Sequence, residues 1–476
     1  MKRPILCLIA TCLAISCFAQ QQWDLRRAVD YALANNISVK QQDIQARLAS
    51  LTYNQSKLSQ YPSLNLSSNL GVNTGRSIDR TTNQFTTESV FYNSFNLQTG
   101  VDVFNFYSRR NTIAANRYEL EAARASVEKL KDDIALNVAG GYLQVLLNRE
   151  RVNVSRVQWQ QTAAQLENTR KLVRAGSVPE LNAAQLEAQL AMDSSNVVAA
   201  KGAEAQSVLY LKALLSLDAG APFDVATPPV ELIPLEPLAD LQPESVYQLA
   251  LQNLPQQRVN ALRLQAAQKN AEAVRGAMFP TLSVGANLRT DYSTNKTNFD
   301  TLPRVFTGYY PIGIVKGTAD SVFSAAYRQD RIFFSDPYMR QLRNNFGNGV
   351  GISLSVPIFN GGSARTAWER AKLNTRNYEL QKQQDNLTLK QDIYKAYTDA
   401  ITSLEQFNAS TKAVETAERA AEFANKRYGI GLLSTIELLQ TQANLYRARL
   451  ERTLAQYDYV FKMKVLEFYK GQGLKL

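Results

Sequence analysis

The sequence predicts a mainly α-helical chain with a membrane β-barrel: a duplicated long-helix antiparallel coiled-coil tunnel plus four strands per chain. The first observation is that the chain is written twice. Tyr61-Pro62-Ser63-Leu64-Asn65-Leu66 returns as Phe279-Pro280-Thr281-Leu282-Ser283-Val284, and Ala32-Leu33-x-Asn35 returns as Ala250-Leu251-x-Asn253, both 218 positions later. Further on, Phe104-Asn105 matches Phe359-Asn360, Tyr142 matches Tyr397, Gly176 matches Gly431 and Gln185 matches Gln440, now at an offset of 255. The change from 218 to 255 places 37 extra residues in the second copy between Pro280 and Phe359. The second observation is that each copy holds very long proline-free stretches. The third is that each also holds two short segments of strict apolar/polar alternation, the period of a strand with one wet face.

The elements follow in order. Residues 1–19 read as a signal peptide, with Lys2 and Arg3 at the start, an apolar run from Ile5 to Ile15 and the small-x-small site Cys17-Phe18-Ala19. All three cysteines (Cys7, Cys12 and Cys17) lie there, so the mature chain carries no thiol. Ala14-Ile15-Ser16 before Cys17 lacks the leucine of a strong lipid-attachment signal, and lipidation of Cys17 stays open. The first repeat covers 20–218. It begins with a helix from Leu25 to about Leu58, roughly 50 Å long at 1.5 Å per residue. A hairpin over 62–105 follows, with Leu64, Leu66, Leu70 and Val72 on one face of its first strand. Its second strand sets Phe95, Leu97, Val101 and Val103 against Asn96, Gln98, Gly100 and Asp102. Between them, Thr74 to Ser89 reads as a polar connection. A long helix then spans Ser108 to Arg174, with Gly140-Gly141 marking a bend or a close approach. The turn 174–181 carries Gly176 as the C-terminal cap and Pro179 in the first turn of a helix that runs to about Leu217.

Residues 219–242 form a proline-rich equatorial linker with short edge strands around Val230-Glu231-Leu232-Ile233. The second repeat, 243–476, has a helix from about Glu244 to Gly276 and a hairpin over 280–359 with a long outer loop, 289–345. A long helix from Ser363 follows, then the turn 428–436 and a last helix to about Tyr469. The loop is rich in aromatics, among them Phe306, Tyr309, Tyr310, Phe323 and Tyr327. An ordered loop packed on itself is the preferred reading over a cap that meets an outside partner.

Composition narrows the function. No stretch approaches 18 consecutive apolar residues, so no membrane helix is expected. The net charge of +11 is spread along helices, which fits solvated faces and argues against a nucleic-acid partner. There is no histidine, the commonest general base and metal ligand. No catalytic residue, cofactor or metal is therefore expected, and the chain is not read as an enzyme. Each strand is long enough to cross a bilayer core when tilted, and one face is apolar. Tyr61, Phe104, Phe279 and Phe359 stand near the strand ends as an interfacial girdle. Four strands cannot close a barrel, so several chains must combine; two would give eight strands and three would give twelve. A trimeric coiled-coil surface or envelope-spacing protein without a pore is the alternative, but it leaves the hairpins without a role.

These residues together resemble the TolC family of outer-membrane efflux and secretion ducts. The resemblance rests on Trp23-Asp24-Leu25-Arg26-Arg27-Ala28-Val29, on Tyr61-Pro62-Ser63-Leu64, on Leu354-Ser355-Val356-Pro357-Ile358-Phe359-Asn360-Gly361-Gly362, and on Arg427-Tyr428-x-x-Gly431-x-x-Ser434-x-x-Glu437-Leu438-Leu439. It implies a homotrimer with a shared twelve-stranded barrel in the outer membrane of a Gram-negative bacterium and a long periplasmic part. It also implies partners: outer-membrane lipid, a periplasmic adaptor and an inner-membrane transporter. The tips that meet the adaptor would include Arg174, Gly176, Ser177, Gly429, Gly431 and Ser434. The periplasmic gate candidates are Glu437, Gln440, Asn182 and Gln185. Of these only Glu437 is acidic, which argues against a strong block by divalent cations. Glu437 reads equally well as an ordinary first-turn helix acid. The cargo (drugs, metal ions or polypeptide) is not legible.

Overall fold

The computed structural model describes residues 22–78, 85–227, 233, 235–294, 296 and 298–471. The signal peptide, the three cysteines and the edge strands expected around Val230–Leu232 lie outside the described residues. Contacts divide the chain into two compact units, and each takes segments from both copies. One comprises Met1–Tyr53, Ala114–Lys269 and Lys372–Leu476; the other comprises Asn54–Ile113 and Asn270–Ala371.

The elements are α1 (Leu25–Asn35), α2 (Ile37–Leu58), β1 (Ser63–Ile78), β2 (Phe85–Phe104), α3 (Ser108–Arg174) and α4 (Glu180–Leu214) in the first copy. The second has α5 (Pro243–Asn253), α6 (Pro255–Gly276), β3 (Thr281–Ser293), β4 (Asn298–Thr301), β5 (Val305–Ile314), β6 (Ser321–Arg328), β7 (Arg331–Phe334), α7 (Tyr338–Asn344), β8 (Gly347–Ser355), α8 (Ser363–Gly429) and α9 (Thr435–Phe468). No helix among the described residues is long and apolar enough to cross a membrane.

Two expectations need correction. The helix expected from Leu25 to Leu58 is two helices, broken at Asn36, whose ψ is 130°. The Asn36 side chain accepts from the Ser38 N–H at 2.9 Å, as an N-cap does, and donates to the Leu214 carbonyl at 2.9 Å. The break recurs 218 positions later at Leu254, also with ψ 130°, so the helix expected from about Glu244 to Gly276 is two helices as well. There Pro255 forces the preceding residue to be extended and opens α6. The second correction concerns the strands. β1 has 16 residues and β2 has 20, so most of the polar connection from Thr74 to Ser89 is paired strand.

The helical unit has two equivalent cores. In the first, Ala28, Ala32, Val138, Tyr142, Val145 and Leu211 are buried together. In the second, Val246, Ala250, Ile393, Ala400 and Leu466 occupy the repeat-equivalent positions, with Tyr397 packed against them. The repeat is therefore a repeat of burial, and each buried valine, leucine or isoleucine side chain contributes about 1.5–3 kcal/mol. α3 passes through Gly140-Gly141 without a break. A Cβ on Gly140 would lie 2.9 Å from Phe461 and one on Gly141 would lie 3.2 Å from Leu214, so these glycines serve close packing.

The linker crosses this core. Trp23 forms a parallel bridge with Val225, and the Tyr142 hydroxyl donates to the carbonyls of Ala226 at 2.6 Å and Trp23 at 3.2 Å. Burial pushes the Tyr142 phenol well above its usual range, with Asp24 adding to the effect and Arg149 opposing it, so it stays a donor. Arg149 binds Glu204 at 3.0 Å, the Val225 carbonyl and Asp224. Burial raises the Asp224 carboxyl, but hydrogen bonds from Arg149 and Gln22 outweigh it and hold the group below the usual range.

Candidate functional site

Two places carry the features a duct requires: a sheet and a pair of helix turns. The sheet has the strand order β1-β2-β3-β8, all antiparallel. Its register brings the alternating faces of all four strands into line. One row joins Leu66, Leu97 and Leu288 and ends on Asn348; the next holds Leu64, Thr99, Ala286 and Val350; then come Val101, Val284 and Ile352. The rows between them are polar or small: Ser63, Gly100, Gly285 and Gly351, then Asn65, Gln98, Asn287 and Gly349. A hollow of about 890 Å³ lies along the sheet, bordered by Ser63, Gln98, Asn287 and Ser353 and also by Val101, Val284 and Ile352 from the rows between. The polar face carries an ion pair. On it Arg109 donates to the Asp102 carboxylate at 3.2 Å, and Ser283 donates to the same carboxylate at 2.8 Å.

The apolar face is uncovered: Leu66 is 71 % exposed and Ile352 is 74 % exposed. From Leu64 to Val72 the strand climbs roughly 26 Å. At the usual tilt of about 40° that spans most of a ~25 Å lipid-facing band. β1 pairs only with β2 and β8 only with β3 among the described residues. Two edges of unpaired N–H and C=O groups cannot face hydrocarbon, so both must be completed by other chains.

The girdle candidates are at the helix end of the sheet. Tyr61 and Phe359 are exposed. Phe104 and Phe279 meet through Phe106, which stacks on Phe279 with ring centroids 3.8 Å apart and lies 6.1 Å from Phe104. Phe106 and its neighbour Tyr107 were missed by the sequence reading. Both have left-handed backbones, with φ of 49° and 62°. The equivalent positions at offset 255 are Gly361 and Gly362, with φ of 63° and 77°. The connection from strand to long helix thus demands two consecutive left-handed residues. The second copy meets it with glycine, while the first accepts the strain of two aromatics.

The helix turns are also matched. The Ser177 N–H donates to the Leu172 carbonyl at 2.9 Å and the Gly176 N–H to Val173 at 2.9 Å; the Leu432 N–H donates to Arg427 at 2.9 Å and the Gly431 N–H to Tyr428 at 3.0 Å. Gly176 and Gly431 have φ of 71° and 77°, completing the same glycine-closed C-terminus twice. Pro179 is the N-cap of α4, one position before the first turn expected for it. Arg174, Gly176, Ser177, Gly429, Gly431 and Ser434 are all exposed. Leu181, Ile430, Leu432 and Ile436 are exposed among them.

Ser434 caps α9 in a capping box: its hydroxyl accepts from the Glu437 N–H at 3.2 Å and its N–H donates to the Glu437 carboxylate at 3.0 Å. The Ser434 backbone N–H first, then its hydroxyl, holds the Glu437 carboxyl below the usual range, with Arg427 adding to the effect. Gln440 is exposed and donates to Asn444 at 3.4 Å. Asn182 and Gln185 are half-buried. No hydrogen bond joins these four gate candidates to one another among the described residues. A hydrogen-bonded chain not foreseen from sequence does join the two helical hairpins, α3–α4 and α8–α9: Thr169 Oγ1 lies 3.1 Å from the Tyr428 hydroxyl, which lies 3.3 Å from Thr435 Oγ1. Tyr428 lay in a quoted motif, but Thr169 gave no signal.

A sheet with one apolar and one polar face and two open edges, joined to paired long helices, defines a protomer of an outer-membrane channel-tunnel. The sequence profile described as outer membrane efflux protein matches residues 28–216 and 246–471. The chain belongs to that family, whose fold is a helical tunnel with four strands per chain in a trimeric twelve-stranded barrel. Among curated relatives, it is 22 % identical to the alkaline protease secretion protein AprF of Pseudomonas aeruginosa over 75 % of this chain and 66 % of that one, just short of two thirds of its length. It is 22 % identical to the probable outer membrane lipoprotein SilC of Salmonella typhimurium over 94 % of this chain and 85 % of that one. Among solved structures, CusC superposes with a TM-score of 0.76 at 18 % identity, over 94 % of this chain and 92 % of that one. The Campylobacter jejuni outer membrane channel CmeC gives 0.73 at 18 % identity, over 95 % and 87 %.

Proposed function

We propose that the chain is the passive exit duct of a tripartite export or type I secretion system: three copies conduct cargo that an inner-membrane transporter and a periplasmic adaptor deliver. The observation that carries this is the two-faced sheet with two unsatisfied edges. Its apolar rows suit lipid, its small and amide rows suit water, and its edges need neighbours. The exposed turns, with Leu181, Ile430, Leu432 and Ile436, supply an apolar docking surface for an adaptor. The relatives' names speak of protease secretion and of pyoverdine export; here the inner-membrane partner would choose the cargo.

The purified chain in a planar bilayer should give discrete single-channel conductance steps. A stable assembly without them would favour the spacer alternative.

Glu437 would line the narrow entrance as a ring of three carboxylates that attracts cations. Glu437→Gln is the useful variant because glutamine also completes a capping box, so the turn keeps its shape while the ring loses its charge. Cation selectivity should fall while the channel stays assembled; unchanged selectivity would leave Glu437 as a cap alone. The cap has its own pH signature. Because the folded-state value is lowered, the carboxylate's contribution is present above the ordinary glutamate range and is lost as pH falls through the lowered value. The glutamine variant should show no such loss at the turn.

A further inference from the structure

The segment that the first copy lacks is folded. β4 pairs with β7, β5 pairs with β6, and α7 packs back on the sheet. α7 sits on the apolar side, at the end of the rows described above. Thr290 follows Leu288 on that face and donates from its hydroxyl to the Leu342 carbonyl at 2.6 Å. Asn93 donates to the Tyr338 hydroxyl at 2.7 Å, and the Tyr292 and Tyr338 rings are 4.8 Å apart. Gln341 donates to the Ser293 carbonyl at 2.9 Å and accepts from its N–H at 3.0 Å, and Asn345 donates to the Asp291 carbonyl at 2.8 Å. These contacts fix which way the helix faces. Its inner side is Tyr338, Gln341, Leu342 and Asn345. The residues left outside are Met339, Arg340, Arg343 and Asn344, with Phe346 just past the helix, all exposed, Met339 at 75 %. Arg340 is 3.6 Å from Asp336, and Arg343 has no ion pair among the described residues.

We infer that the outer face of α7 is a seat for phosphate-bearing membrane lipid at the outer rim of the barrel. The occupant follows from continuity and chemistry. Two residues below α7 on the same strand face lies Leu288, where hydrocarbon must be in contact with the sheet, so the helix stands in the headgroup layer. In that layer a mixed apolar and cationic surface is matched on both counts. Met339 and Phe346 meet acyl chain, while the long arginine stems reach headgroup oxygens, and guanidinium pairs with phosphate through two parallel hydrogen bonds. Arg340 and Arg343 are three apart on one helix and so can act on the same headgroup. The first copy has no counterpart, so each chain offers one seat.

The test uses the full channel in detergent, titrated with diphosphoryl lipid A and with lipid A stripped of both phosphates, with bound lipid counted by native mass spectrometry. The wild type should hold the phosphorylated form about tenfold more tightly, a difference of the size expected for a charge-assisted contact. Arg340→Gln with Arg343→Gln should abolish that preference while conductance is kept, and Arg331→Gln in β7, which removes one exposed arginine away from the seat, should retain it. Equal binding of the two lipids by the wild type, or an undiminished preference in the double variant, overturns the inference. So does displacement of the lipid by excess inorganic phosphate, which would mark a free-anion site. The lipid comparison and the phosphate competition use unaltered protein, so they decide the matter even if the double variant fails to assemble. Conductance is read separately and reports on the duct itself.

Discussion

Ile352→Arg should lower the stability of the assembled channel in lipid by about 2–4 kcal/mol per chain, the range for a basic residue at mid-depth on the outer face of a barrel. Ile352 is paired with Val284 in a row that continues to Val101, and it is 74 % exposed in the single chain. For an ordinary wet surface, a change at so exposed a site would alter stability by no more than about 0.5 kcal/mol. The two readings therefore differ by several-fold, and the internal control is adjacent. Ser353 lies one residue along, in the row with Ser283 and Asp102 on the opposite face. Ser353→Arg should leave assembly intact and change conductance instead. The measurement is the denaturant midpoint for unfolding of the channel from lipid vesicles, for both variants against wild type. Equal midpoints for the two arginine variants would refute the assignment of lipid and water to opposite faces.

The reason this face could be named in advance is that alternation needs no tertiary information. A period of two, read over Leu64 to Val72 and again over Val350 to Ile358, states which side chains share a side, although β8 stops at Ser355 and leaves Val356 and Ile358 outside the strand. The bounds of α3 were likewise legible, because nothing between Ser108 and Arg174 breaks a helix and Gly176 ends it. The α1–α2 break was not legible in the first copy. Asn36 is tolerated inside a helix, and what selects the break is the Leu214 carbonyl, far away in sequence, that the Asn36 amide reaches. Pro255 was the local clue in the second copy, and the repeat should have carried it back by 218 positions. The left-handed pair Phe106-Tyr107 was hidden for the opposite reason. Its sequence disfavours the conformation, and only Gly361-Gly362 in the other copy betrays what the connection requires. Of the gate candidates, the capping box of Ser434 and Glu437 was visible in their spacing of three. Which side chains face the pore depends on neighbouring chains, and no pattern within one chain encodes that.

Leu186→Ala should be a damaging single truncation near the helix turns, costing about 2–5 kcal/mol as buried leucines do when the site relaxes only in part. Leu186 is fully buried with Leu166 and Ala183, and Val173, Leu190 and Leu439 pack against the cluster. Leu439 belongs to α9, so the same side chain that ties α3 to α4 also ties the first hairpin to the second. The loss should therefore be local and double. Amide exchange should quicken around residues 166–190 and again around 428–442, with the core at Tyr142 and Leu211 unchanged. A cavity that merely weakened one hairpin would quicken only the first of these segments, and that outcome would remove Leu439 as a coupling residue. The adjacent control is Leu181, which is 64 % exposed at the turn. Leu181→Ala should leave exchange untouched in both segments because it contributes nothing to the core. If the turns dock an adaptor through their exposed apolar residues, Leu181→Ala should instead weaken that association. Burial thus separates the residues that hold the two hairpins together from those offered to a partner, although only a few positions lie between them in the chain.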